Sequence, residues 1–165
     1  MKKYIEIGLV VVVLGFIAYY LCQGEARKVR KQFVAIANAV SKPSGEGNIA
    51  MGVKMATLAN LLDDKVTIVI KDFPFNGELS AEELVSLASR GRTFFDYLEI
   101  TILDVETEFT SKTTAVSRCA AKVRTRSKTG DYNYDEVREF TSDLVKGENK
   151  KWLFASFKQD ELLKK

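Results

Sequence analysis

The chain opens on an uninterrupted apolar run, Ile7 to Leu21, and Glu6 is the only charged residue between Tyr4 and Cys22. As a helix, the 19 positions from Tyr4 to Cys22 would span roughly 28 Å, close to the thickness of a bilayer's hydrocarbon core. Glu6 lies one turn from Lys2 and Lys3, near enough to an interface to be neutralised or to snorkel, while Tyr4, Tyr19 and Tyr20 mark the two interfaces. Tyr19-Tyr20-Leu21-Cys22 lacks the small residues that a signal-peptide cut or a lipoprotein cysteine requires. The pattern therefore predicts a retained single-pass anchor over residues 4–22, within an N-terminal segment of residues 1–26. A very short basic head normally stays in the cytoplasm, which leans the rest of the chain toward the extracytoplasmic (periplasmic) side. Arg27, Lys28, Arg30 and Lys31 on the far flank pull the other way.

Beyond the anchor the periodicity changes. Val29, Phe33, Ile36, Ala37 and Val40 form a helical stripe that continues the apolar segment. Residues 41–47 are a loop by composition, and Asn48 is placed to cap a second helix reaching about Leu62, apolar on most faces and so expected to be buried. Its methionines read as core filler. Lys65 to Lys71 reads as a strand, followed by a turn at Pro74 and Asn76-Gly77. Ser80 and Glu83 form a capping box, with Leu79 and Leu84 as its staple, so a third helix starts at Ser80. Its inner face is Leu84, Leu87, Ala88 and Gly91. Three long strands follow, Tyr97 to Thr110, Lys112 to Ser127 and Tyr132 to Lys146, then a shorter one from Lys151 to Lys158.

Parity fixes which side of each strand faces inward. Leu98, Ile100 and Ile102 share one face, but then Leu103, Val105 and Phe109 do, so a β-bulge is predicted near Ile102-Leu103. A turn at Ser111 then sets Asp104 opposite Arg118 and Glu99 opposite Lys122, with Ala115, Ser117, Cys119, Ala121 and Val123 on the inner face. Carried through the Lys128 to Asp131 turn, the register sets Arg124 opposite Asp135 and Phe140 opposite Cys119. It also turns Tyr134, Glu136 and Arg138 inward. Charged groups on an apolar face need a partner or water, so these three are expected at the rim of a cavity. Ser117, Cys119, Ala121, Tyr134, Glu136 and Arg138 are thus the candidate cavity-lining residues. An open polar-rimmed space beneath Ser117, Cys119 and Ala121 would favour a ligand or an enzyme, and a filled one a scaffold.

Composition narrows the chemistry. Histidine is absent, which excludes Ser-His-Asp and Cys-His hydrolases and nearly all zinc enzymes. Residues 1–40 carry 6 Lys/Arg and 2 Asp/Glu, whereas residues 41–165 carry 19 and 20. The excess positive charge belongs to the anchor's flanks, and the neutral domain offers no footprint for nucleic acid. The row Arg118, Lys122, Arg124 and Arg126 faces acids and reads as a solvated salt-bridge face in preference to an anion stripe. No glycine-rich phosphate loop or paired metal-ligand motif is present, so no cofactor or metal is expected. Cys22 and Cys119 would have to join membrane to core, so no disulfide is expected.

The order helix, buried helix, strand, helix and four antiparallel strands, the first of them bulged, resembles the nuclear-transport-factor-two-like (SnoaL-like) superfamily. The resemblance covers roughly residues 27 to 160 and rests on MGVKMATLANLLDDKVTIVI, SAEELVSLASRGRTFF and the closing WLFASF. It implies an α+β domain over residues 27–165, a cone of about three helices on a strongly curved, mostly antiparallel sheet whose open end is often a ligand pocket. The expected function is a membrane-tethered module that binds a small apolar ligand or a protein partner, with a homodimer through the sheet. The alternative is a tethered isomerase, dehydratase or cyclase, with Glu136 or Asp96 as base beside Tyr97 or Tyr134.

Overall fold

The computed structural model describes residues 24–70 and 75–159. Residues 24–40 form helix α1. There follow α2 (Asn48–Ala59), β1 (Leu62–Val69), β2 (Gly77–Ser80), α3 (Ala81–Thr93), β3 (Phe95–Phe109), β4 (Thr114–Ser127), β5 (Asn133–Lys146) and β6 (Trp152–Gln159). One six-stranded sheet has the order β2-β1-β6-β5-β4-β3. Only β1 and β6 run parallel; every other pair is antiparallel. The class is α+β, three helices on a curved mixed sheet. No helix among the described residues is long and apolar enough to cross a membrane, and the predicted anchor, residues 4–22, lies outside the described residues.

Helix α1 buries its predicted stripe. Val29, Phe33 and Ala37 are buried, and Phe33 meets Phe154 of β6 edge to face at 4.8 Å, a geometry that aromatic quadrupoles favour. Its first turn is pinned to the β5–β6 hairpin by Glu25, whose carboxylate accepts from Trp152 Nε1 and pairs with Lys146, each at 2.9 Å.

Helix α2 departs from expectation. Gly47, not Asn48, is the N-cap and offers no side-chain acceptor; the helix stops at Ala59. Only Met55 and Leu58 are buried, while Ile49 is 87% and Val53 63% exposed. The cause is geometric: a helix at the edge of the core presents one stripe to its neighbours, here Met51, Met55 and Leu58, whatever the composition of the remainder. The next strand also begins earlier, at Leu62, because Phe154 N–H is held by Leu61 C=O at 2.9 Å. Strand β2 was not foreseen; its four residues pair with β1 across the Asn76-Gly77 turn, where Gly77 has φ +133°. Pro74 lies outside the described residues.

The bulge stands where the phase flip put it: pairing with β4 shifts between Ile102 and Asp104, leaving Leu103 over. The register beyond it is corrected by two residues. Asp104 faces Ala120 and Glu99 faces Arg124, because the hairpin closes with Thr110 and Ser111 N–H both on Thr114 C=O, not around Ser111. A two-residue slip keeps every side chain on its face, so Ala115, Ser117, Cys119 and Ala121 are still buried. Between β4 and β5, Arg124 faces Asp135 and Cys119 faces Phe140.

Candidate functional site: an apolar cavity

The inner face of β4 carries only small side chains where α1 and α3 cross it. Alanine, serine and cysteine cannot reach the helices, and the unfilled volume is a cavity of about 280 Å³. Its walls come from eight elements and include Phe33 and Ile36 of α1, Leu84 of α3, Ile100 and Ile102 of β3, Phe140 of β5 and Phe157 of β6. Cys119 and Ala121 form the floor. Ser142 is the one hydroxyl-bearing residue in the wall. Burial pushes the Cys119 thiol up to about 11, so it stays protonated and neutral at physiological pH.

The six candidate residues occupy three places. Cys119 and Ala121 line the cavity. Ser117 is fully buried beside it, its hydroxyl shared with Thr107 at 2.9 Å. Tyr134, Glu136 and Arg138 continue the same sheet face beyond Phe140, opposite Thr125, Val123 and Ala121, and do not line the cavity. They satisfy one another: Tyr134 Oη donates to Glu136 at 2.6 Å, Arg138 Nε donates to Tyr134 Oη at 2.8 Å, and Arg138 Nη2 pairs with Glu136 at 2.7 Å. Burial and the bond to Glu136, in that order, raise the Tyr134 phenol above its ordinary value.

The other base candidate is held still more firmly. Asp96 accepts from Arg126 Nη2 at 2.6 Å and from Ser44 Oγ at 3.0 Å, and the Arg126 bond first, Ser44 second, hold its carboxyl below the usual range. A general base working near neutrality needs the opposite displacement. Tyr97 stands on the charged outer face, its phenol raised by a hydrogen bond to Glu99. That face is a salt-bridge lattice: Arg124 meets Glu99 at 3.5 Å and Asp135 at 3.3 Å, and Lys122 meets Asp135 at 3.1 Å. No cluster of three metal-ligating side chains occurs among the described residues.

Two features escaped the sequence reading. Arg92 is 2% exposed; it pairs with Glu46 and donates to the carbonyls of Ala39 and Ser41, each at 3.1 Å. Lys54 completes the group, 2.7 Å from Glu46 Oε1. This ion cluster straps the 41–47 loop to α2 and α3. Arg92 lies one turn beyond Ala88 on the inner face of α3, and that spacing was the available signal. The second is Ser142, two positions after Phe140 and therefore on the inner face by parity.

No protein-family model matches the sequence, and no curated protein matches it. Solved structures do match. A protein assigned as a scytalone dehydratase from Novosphingobium aromaticivorans superposes with a TM-score of 0.67 at 15% identity, covering 86% of each chain. A protein assigned as a dehydratase of the NTF2-like family from Streptomyces avermitilis gives 0.63 at 16% identity, covering 86% of this chain and 99% of its own. The fold is nuclear-transport-factor-two-like. A hexachlorocyclohexane dehydrochlorinase shares it, with a TM-score of 0.67 at 12% identity and 86% of each chain covered. In the present chain the cavity between helices and sheet is lined by apolar side chains, with no carboxylate among them.

Proposed function

We propose that this chain is a membrane-tethered binding module that takes a small, uncharged, apolar molecule into the cone. The observation that carries the reading is a cavity of about 280 Å³ walled by aliphatic, aromatic and small side chains with no charged group among them. A charge would be costly there, since nothing could pair it. At roughly 30 Å³ for each water-sized group, the space suits a ligand of about nine or ten non-hydrogen atoms. At about 0.5 kcal/mol per atom such a ligand would bind with a Kd of roughly a few tenths of a millimolar.

The test is naphthalene, ten carbons, added to full-length protein in lipid nanodiscs and to Ala121→Leu in the same preparation, so that partition into lipid is common to both. The reading expects saturable shifts at the Ile36, Ile100 and Ile102 methyls in the first protein, weakened at least tenfold in the second, whose added side chain fills the floor. Equal responses in the two proteins would contradict it. Tethering rests on the apolar run 4–22 and predicts that the chain stays with membranes after alkaline extraction; release into the supernatant would refute it. A homodimer through the outer sheet face, where Val137 is exposed among ion pairs, is the oligomer this reading favours. An extracytoplasmic domain is the favoured topology, tested by protease added to sealed vesicles.

A tethered dehydratase-type or isomerase-type enzyme is the second reading, favoured by the names of three structural neighbours. It would use Tyr134 and Glu136 and predicts that Glu136→Gln abolishes turnover while naphthalene binding persists. The mutual saturation of Tyr134, Glu136 and Arg138 weighs against it.

A further inference from the structure

Among the described residues, four buried side-chain polar atoms lack an ordinary hydrogen bond: Glu46 Oε1, which has only its ion pair with Lys54, Arg92 Nε, Thr125 Oγ1 and Ser142 Oγ. The first two belong to the ion cluster that straps the 41–47 loop, and Thr125 does not line the apolar cavity. Ser142 is different, because it stands in the wall of the apolar cavity, fully buried, with its hydroxyl in the present rotamer turned away from the open space. Comparable hydroxyls nearby are all engaged. Ser117, directly opposite Ser142 across the β4–β5 pair, shares its hydroxyl with Thr107 at 2.9 Å, and Ser156 donates to Asp143 at 2.6 Å. A buried hydroxyl left alone destabilises the fold, so an unpaired one in a cavity wall calls for a reason.

We infer that Ser142 is the polar subsite of this cavity, and that the ligand carries one uncharged hydrogen-bonding oxygen, a carbonyl or a hydroxyl, on its apolar skeleton. The inference rests on the cavity being a binding site and adds the class of molecule it accepts. Serine has three staggered rotamers on a fixed backbone, so Oγ can swing toward a ligand atom without moving β5. A carbonyl would accept from Oγ–H and a hydroxyl could do either. Carboxylates and amines are excluded by the same wall that excludes any charge. Cys119, with its neutral thiol, adds only a weak donor on the adjoining strand.

The experiment pairs two probes of nearly equal size, indane and 1-indanone, which differ by one carbonyl oxygen. Full-length protein and Ser142→Ala are reconstituted in identical nanodiscs, and affinities are read from the methyl shifts of Ile100 and Ile102. The expected result is that 1-indanone binds Ser142→Ala about five- to tenfold more weakly than the unaltered protein, the worth of one neutral hydrogen bond, while indane binds both alike. Ser142→Ala removes an unpaired group and should fold at least as stably; Ser142→Cys, retaining a weak donor, should lose most of the same preference. Binding of both probes with no change in either variant would overturn the Ser142 subsite and leave the cavity reading intact, the hydroxyl then being served by water. Failure of both probes to bind the unaltered protein would overturn both.

Discussion

The junction between α1 and the sheet is electrostatic, and Glu25 governs it. Its carboxylate accepts from Lys28 at 2.6 Å on one oxygen, and from Lys146 and Trp152 Nε1 at 2.9 Å each on the other; Lys146 also sits 4.8 Å above the indole ring. The bond to Lys146 first, then that to Lys28, brings the Glu25 pKa from 4.5 down to about 2. That drop corresponds to about 3.4 kcal/mol at 1.36 kcal/mol per decade. The side chain is still 27% exposed, so screening by water leaves about 1–2 kcal/mol of it as stability. The folded carboxyl titrates lower than the unfolded one, so this contribution is complete above pH 4.5 and disappears as pH falls through 2. Glu25→Gln keeps an acceptor for the indole but loses the charge. At pH 7 it should therefore unfold in urea about 1–2 kcal/mol more easily, with the difference shrinking steadily between pH 4.5 and 2. Trp152 is the only tryptophan, so its fluorescence follows this contact directly, with circular dichroism as the global control. A gap independent of pH, or no gap at pH 7, would refute the reasoning.

Further outcomes follow from the ion cluster and the bulge. Arg92→Leu leaves Glu46 buried and short of its main partner, and should cost about 3–5 kcal/mol in chemical denaturation; the double variant with Glu46→Leu should recover most of it. Deletion of Leu103 would remove the bulge and turn Val105, Thr107 and Phe109 from the inner face to the outer one, so the domain should fail to fold, as judged by loss of dispersed methyl resonances. Leu103→Ala, which keeps the extra residue, should cost less than about 1 kcal/mol because this side chain is largely exposed.

The bulge was legible because hydrophobic phase is a property of neighbouring residues: Ile100 and Ile102 are out of step with Val105 and Phe109, and only an added residue reconciles them. The capping box at Ser80 was legible for the same local reason, and the Ser80 and Glu83 bonds are both made. The β3–β4 register was not, since Thr110 to Thr114 offers several turn-forming residues and a slip of two conserves parity, so no hydrophobic signal opposes it. Helix α2 misled because Ile49, Val53 and Ala56 count as core by type, whereas composition does not say which face of a helix meets a partner, and these three are exposed. Within the candidate site, all six residues share one sheet face, yet parity gives no position along the strand. It did not separate Cys119 and Ala121, beneath the helices, from Tyr134 to Arg138, beyond them. The Arg92–Glu46 pair joins residues far apart in sequence, and only the folded chain brings them together.

The central claim is that the cone holds a dry apolar space able to accept a guest. Xenon reports on such spaces, because an apolar cavity that excludes water admits it. Diffraction from crystals pressurised with xenon should show a peak enclosed by Phe33, Ile102, Phe140 and Phe157, and Ala121→Leu should abolish it. Ordered water in that volume, or side chains collapsed across it with no xenon bound, would contradict the account.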